Sequence, residues 1–388
     1  MTAIPSVLAA TVRGMTSHPD SRDRCTGPDP FAGTIVLDAP GAVFAALPAL
    51  LGFRPDRSLL VLALGARGTS GTIDAVMRHD LSFDAAGGID GAARGALAHF
   101  GAVCVRDGAR AVIPVAVHPD LGAPGAAREA FADLAAVFED VLAPSGVEVP
   151  AVLFAAAIGT GERWYAITGP EDDVRGDDLG GEDLRGGVQS DPRNSAVAAA
   201  HVFRGRPLRD SRRELENLLE PRPDAVAAAE LARLREAARG SGGDTDAAEA
   251  RYVLDTVRRH ARGGVVHPGR WARAGAALTR HRVRDAMLAA IDRPGCDGFW
   301  LELARRLPGR ERAEAATLVA FGAYVRGDGP LAGVALAAAL DAYPGHRLAA
   351  MLDTSLHAGV RPEIVAELAD VGRQVAADLG VMGDPADG

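Results

Sequence analysis

The sequence predicts an α/β domain followed by an all-α domain: a mixed-sheet α/β sandwich and then a helical array. Three observations carry this reading. Between residues 34 and 168, short apolar runs of strand length alternate with segments whose apolar residues recur every three or four positions, the pattern of a sheet covered by helices. From residue 211 onward every periodic segment has helical spacing, with Gly and Pro between segments. A chain of 388 residues is long enough for two cores of ordinary size.

Taken in order, residues 1–30 carry no sustained pattern and run through the polar, turn-forming stretch Thr16-Ser17-His18-Pro19-Asp20, so a disordered N-terminal extension is expected there. The α/β domain is expected over 31–210. Its first strand is 34–37, and a helix over 40–51 starts at Pro40, whose missing N–H costs nothing in a first turn, and ends at Gly52. Arg54-Pro55-Asp56-Arg57 makes a turn into an apolar strand over 58–64, and a Gly-rich hairpin leads to a strand over 72–79. A helix over 89–105, broken by Asp107-Gly108, precedes a buried-type strand over 110–117. A helix over 126–142, a strand over 149–158 and a strand over 162–168 complete the alternation, because helices of this length between strands cover a mixed sheet. Residues 169–193 are Gly-rich and acidic, the composition of a long solvated loop, and a helix over 194–203 follows.

The helical domain is expected over 211–388. Ser211-x-x-Glu214 is a capping box, since the hydroxyl and the carboxylate each satisfy an N–H group that a helix start leaves open. Helices are expected over 224–239, 245–261, 270–278, 283–291, 298–307, 311–325, 331–342, 347–357 and 363–379, and Arg239-Gly240-Ser241-Gly242-Gly243-Asp244 is the clearest linker. Two of these helices meet at Gly327-Asp328-Gly329-Pro330. With Val319 and Ala320 in the first helix and Ala332, Leu336 and Ala339 in the second, this pair resembles one tetratricopeptide hairpin, with Tyr324 one position from the usual aromatic place.

The run from Leu47 through Gly52-Phe53-Arg54-Pro55-Asp56-Arg57-Ser58 to Leu62, with Met77-Arg78-His79-Asp80-Leu81 and Tyr324-Val325-Arg326-Gly327-Asp328-Gly329-Pro330, resembles the actinobacterial domain of unknown function 4192 family. The likeness runs from Thr34 to the helix after Pro362; the first thirty residues and the acidic insert after Gly169 depart from it. It implies no activity, so function has to be read from the residues.

Composition removes several classes. A net charge of −9 with 5% aromatic residues offers neither a basic footprint nor stacking platforms, so nucleic acid is not expected as a partner. All 42 basic residues are arginine. Without lysine no side chain forms a Schiff base and no phosphate-loop or kinase lysine exists, which removes pyridoxal-phosphate enzymes and the common nucleotide-hydrolysing and kinase mechanisms. Cys25, Cys104 and Cys296 lie far apart and form no Cys-x-x-Cys pair, so no disulfide framework, zinc site or other metal site is expected, and no cofactor. No run of about twenty apolar residues occurs, which predicts no membrane span and a cytoplasmic protein.

The candidate ligand-binding residues are Arg54, Asp56, Arg57, Ser58 and His79. The first four cluster on a connection beside the sheet, where α/β folds place ligands, and arginine grips a carboxylate or phosphate through paired N–H groups. His79 closes a strand; its sequence neighbour Asp80 points to the other face, so the two make no ready dyad, and a ring bonded to backbone is the plainer expectation. His118 before Pro119 is a similar case with a weaker claim. Neither Ser190 nor Ser195 stands in a nucleophile elbow, and Gly159-Thr160-Gly161 leads into a strand, where its N–H groups make no pyrophosphate cradle. The acidic residues Glu171 to Asp183 lack calcium-loop spacing. The expectation is a non-catalytic binding protein, acting through a protein partner on the helical domain or a small anionic ligand. The alternatives are a hydrolase or group transferase on an anionic substrate at the α/β domain, and a self-associating structural protein.

Overall fold

The computed structural model describes residues 10–13, 34–37, 40–65, 71–85, 88–122, 136, 146–167, 186–203, 208–238, 246–291, 293 and 295–381. The described chain separates into two compact units, Met1–Arg212 and Arg213–Gly388. An α/β unit with a mixed sheet precedes an all-α unit, the fold class that the alternation of patterns predicts.

In the first unit the strands are β1 (Ala10–Arg13), β2 (Thr34–Leu37), β3 (Ser58–Gly65), β4 (Gly71–Asp80), β5 (Ala111–Val117), β6 (Val152–Ala155), β7 (Arg163–Ile167) and β8 (Gly186–Val188). The helices are α1 (Pro40–Leu51), α2 (Gly91–Arg106) and α3 (Ala196–Phe203). The sheet order is β2-β1-β4-β3-β5-β6-β7-β8, with β1 parallel to β4, β5 parallel to β6, and the other neighbours antiparallel. Strand β3 is buried at every position because both faces are covered. On one face Leu59, Val61 and Ala63 pack with Ile89, Ala93, Leu97 and Cys104, from α2 and the residue before its cap. The other face carries α1 and α3, where Phe44 stacks on Trp164 at 6.3 Å. Helix α2 starts where Asp90 Oδ1 accepts the Ala93 N–H at 2.8 Å, a side-chain cap for an otherwise open donor.

Two expectations for this unit need correction. The N-terminal extension contributes a strand, because β4 offers an open edge and Thr11-Val12 supply β-branched residues to pair with it. The acidic segment 169–193 is not loop throughout, since β8 and a 3-10 turn at Pro192–Asn194 lie at its end. Apart from residue 136, the helix expected over 126–142 lies outside the described residues, as do the 239–244 linker and most of the acidic segment.

The second unit contains α4 (Arg212–Leu218), α5 (Ala225–Ala238), α6 (Asp246–Ala261), α7 (Pro268–Leu278), α8 (His281–Leu288), α9 (Cys296–Arg306), α10 (Gly309–Val325), α11 (Gly329–Ala342), α12 (Arg347–His357) and α13 (Pro362–Asp378). Its core is built on aromatic contacts: Trp271 stacks on Phe299 at 4.9 Å, and Phe299 meets Trp300 edge-on at 5.0 Å. Helices α10 and α11 fold back on each other across the Arg326–Asp328 turn, where Gly327 takes φ 73° and the Asp328 carboxylate caps α11 through Leu331 N–H. Among the described residues, no helix is long and apolar enough to cross a membrane.

Candidate functional site

Strand directions gather the polar residues at one end of the sheet. Ser58, the first residue of β3, lies opposite Asp80 at the end of β4 and Val117 at the end of β5, and Val117 lies opposite Ala155 at the end of β6. The carboxyl ends of β4, β5 and β6 therefore meet the turn that enters β3, the kind of place where open α/β sheets bind ligands.

That turn is held from several sides. The Ser58 side chain is fully buried; its hydroxyl donates to the Asp56 carbonyl at 2.7 Å and accepts from Arg78 Nε at 3.0 Å. Arg78 is held in turn by Asp80 and lies over the Phe53 ring at 6.0 Å. Burial pulls the Arg78 guanidinium below its ordinary value, against the raising charge of Asp80. The Leu81 N–H, directly after β4, donates to the Arg57 carbonyl at 2.7 Å and fixes that side of the turn.

Arg57 is the single non-glycine residue with positive φ among the described residues, at 42°. A left-handed conformation costs a residue with a Cβ about 1–2 kcal/mol, and such strain collects where a side chain has to be aimed. Its Nη1 lies 3.3 Å from Nε2 of His118, a ring only 2% exposed. No ion pair joins Arg57 to a carboxylate among the described residues. On the opposite edge of the ring, His118 Nδ1 is 3.2 Å from the Asp120 N–H and 3.5 Å from its carboxylate. Phe83 meets the ring edge-on at 4.8 Å. Burial holds the His118 pKa below the ordinary histidine value; Asp120 and Asp56 oppose that shift and Arg57 adds to it.

The five candidates from the sequence do not converge. Arg57 and Ser58 belong to this arrangement, and Asp56 enters it through its backbone carbonyl. Arg54 turns outward to Asp210 at 3.5 Å, while its backbone N–H pairs with the Arg209 carbonyl. His79 lies opposite Leu59, on the α2 side of the sheet, with Nδ1 2.7 Å from the Asp80 carbonyl, the backbone bond expected of a strand-end histidine. His118 and Asp120 complete the arrangement around Arg57, and Arg78 holds the turn through Ser58. The signal for His118 was its place directly after the apolar run 111–117, at the carboxyl end of a central strand. The Gly159 N–H bonds to Gln189 Oε1 and the Gly161 N–H to the Gln189 carbonyl, so neither is available for a phosphate. Among the described residues, no group of three or more His, Cys, Asp and Glu side chains converges as a metal site.

A family model described as Domain of unknown function (DUF4192) matches residues 40–363, well over half of the chain. The chain belongs to the DUF4192 family. The DUF4192 match opens on the first residue of α1 and takes in Arg54 to Ser58, Arg78, His118 and Asp120; β1 and β2 precede it. Neither curated proteins nor solved structures yielded a match.

Proposed function

We propose that this DUF4192 protein is a non-catalytic cytoplasmic binding protein whose α/β unit takes a small anionic ligand at the sheet end formed by Arg57 and His118. The observation that carries the reading is Arg57: a guanidinium with no carboxylate partner among the described residues, on a strained backbone, directed at a buried neutral imidazole. A cation without an anion in a place held this firmly is arranged to meet one. The enzyme alternative loses support because Arg54 and His79 lie apart from the site.

The test is thermal shift of the full chain against nucleotides, sugar phosphates and coenzyme A derivatives, since a ligand at a hundred times its dissociation constant adds about 2.7 kcal/mol to stability. The expected result is a reproducible upward shift that Arg57→Ala removes and Arg54→Ala keeps. A shift that survives Arg57→Ala, or a flat panel, overturns the reading.

The helical unit supports a protein-binding role as well. Ile364 and Val371 on α13 are 56% and 55% exposed, and with half-buried Leu368 and Val375 they form a stripe at spacings of four, three and four. The α10–α11 pair is read as a tetratricopeptide-like hairpin, in which fully buried Ala332, Leu336 and Ala339 allow close helix approach.

A further inference from the structure

Resting on the anion-binding reading above, we infer that the site takes a singly charged oxyanion, a carboxylate or a phosphodiester phosphate, one oxygen of which accepts from both the neutral His118 Nε2–H and the Arg57 guanidinium. The backbone after β5 fixes the tautomer of His118. The Asp120 N–H donates to Nδ1 at 3.2 Å, so Nδ1 is an acceptor and the proton of the neutral ring sits on Nε2. A guanidinium also can only donate. The 3.3 Å contact between Arg57 Nη1 and His118 Nε2 therefore brings two donors together and is no hydrogen bond. Among the described residues no acceptor faces Nε2, although His118 is only 2% exposed. The free protein forgoes a hydrogen bond there that a ligand oxygen can supply.

The ring is held so that Nε2–H keeps one aim. The His118 N–H donates to the Ala155 carbonyl at 3.1 Å, the Asp120 N–H holds Nδ1, and Phe83 lies edge-on to the ring at 4.8 Å. Arg57, in contrast, has an exposed side chain at the Nε2 edge, so its guanidinium can turn and admit an oxygen. Two donors 3.3 Å apart suit one shared oxygen, because sides of ~2.9 Å, the ordinary N–H···O distance, close a triangle on that base. Charge sets the class of ligand. Burial holds the ring below the ordinary histidine pKa of about 6.5, so it is neutral at neutral pH and Arg57 is the cation that faces it. The other charged groups around the ring are the carboxylates of Asp120, after β5, and Asp56, before β3; Phe83, after β4, is uncharged, and β6 presents the Ala155 carbonyl. Arg78 is already paired with Asp80. One cation offsets one ligand charge, and a second negative charge would meet the two carboxylates with no cation to oppose them.

Acetate, dimethyl phosphate and sulfate are the probes, because their charges are fixed at neutral pH, single for the first two and double for the third. Each would be titrated into the full chain at constant ionic strength between about pH 7 and 8, above the ordinary histidine pKa, with the ¹H and ¹⁵N shifts of the His118 ring followed by NMR. The expected result is an Nε2–H tautomer with and without ligand, a downfield move of the Nε2 proton on binding, and an affinity that does not change with pH. Acetate or dimethyl phosphate should bind more tightly than sulfate, and the tighter of the two says whether the group is a carboxylate or a phosphodiester. His118→Phe should weaken that binding about tenfold, the loss of one hydrogen bond to a charged group, and His118→Gln, which keeps an N–H donor, should recover part of the loss. An Nδ1–H tautomer in the free protein, a doubly protonated ring in the bound one, tightest binding by sulfate, or undiminished binding by His118→Phe overturns this inference and leaves the anion reading intact. Absence of Arg57-dependent binding by all three probes overturns both. The ring shifts decide the tautomer in the native chain even where a variant fails to fold.

Discussion

At the scale of residues, Arg57 sets stability against function. Its left-handed backbone is one that glycine adopts without penalty, and among the described residues its side chain meets one polar side chain, His118. Arg57→Gly should therefore raise the unfolding free energy by about 1 kcal/mol, the strain released, while abolishing the ligand-induced shift. Urea unfolding of both chains measures it. A less stable variant would mean that the guanidinium serves the fold and not a ligand. The sequence made Arg57 a candidate because a polar turn between two apolar elements is visible in one dimension. It gave His118, 61 positions away, only a weaker claim, because their contact depends on β3 running antiparallel to β5, and strand order is not written in local spacing.

At the scale of elements, boundaries followed chemistry where one residue type decides them. Pro40 opens α1 and Gly52, at φ 75°, ends it, as proline and glycine dictate without tertiary help. Strand β8 shows the converse. Its Gly186-Gly187 carries no apolar pattern, yet a Cβ on Gly187 would lie 2.8 Å from Trp164 Nε1, so the strand is glycine because a neighbouring ring needs the space. Gly372 in α13 has the same logic between helices: a Cβ there would sit 2.7 Å from the Asp285 carbonyl and 2.8 Å from the Ala289 amide nitrogen. In an isolated helix Gly→Ala is favourable by about 0.5–1 kcal/mol. Here Gly372→Ala should destabilise by about 1–3 kcal/mol, since the obstacle is backbone that moves only if two helices part. Thermal unfolding reads the sign, and a stabilised variant would refute the close approach.

At the scale of the whole molecule, the helical unit is held together through a buried charge that joins three helices. Glu314 of α10 and His346, the cap of α12, are each 2% exposed in their side chains and meet at 2.9 Å; Arg310 lies 3.4 Å and Arg284 of α8 3.6 Å from the same carboxylate. The His346 Nδ1 accepts from the Ala349 N–H, so its Nε2–H is the donor to Glu314. Burial pushes the Glu314 carboxyl up, but the His346 hydrogen bond and the nearby Arg284 and Arg310 cations outweigh it and leave the group below the usual carboxylate value. Below about pH 4.3 the unfolded chain then binds a proton that the folded chain still resists, so this contribution is held at neutral pH and lost on acidification. Glu314→Gln should cost about 3 kcal/mol at pH 7 and less at pH 4. Urea unfolding at the two pH values checks it; an equal loss at both would remove Glu314 from the acid response.

The sequence alone determined the class of the fold, the order of its elements apart from β1 and β8, and the turn that carries Arg57, because periodicity, proline, glycine and caps act over a few neighbouring residues. It also determined the absence of lysine, and with it the chemistries the chain forgoes. Tertiary structure alone decided which histidine meets Arg57, that Arg54 and His79 stand apart, and that Arg78 and Ser58 hold the turn. Those outcomes depend on strand pairing and on which face each side chain takes, and both are fixed by burial of the whole sheet between its helices.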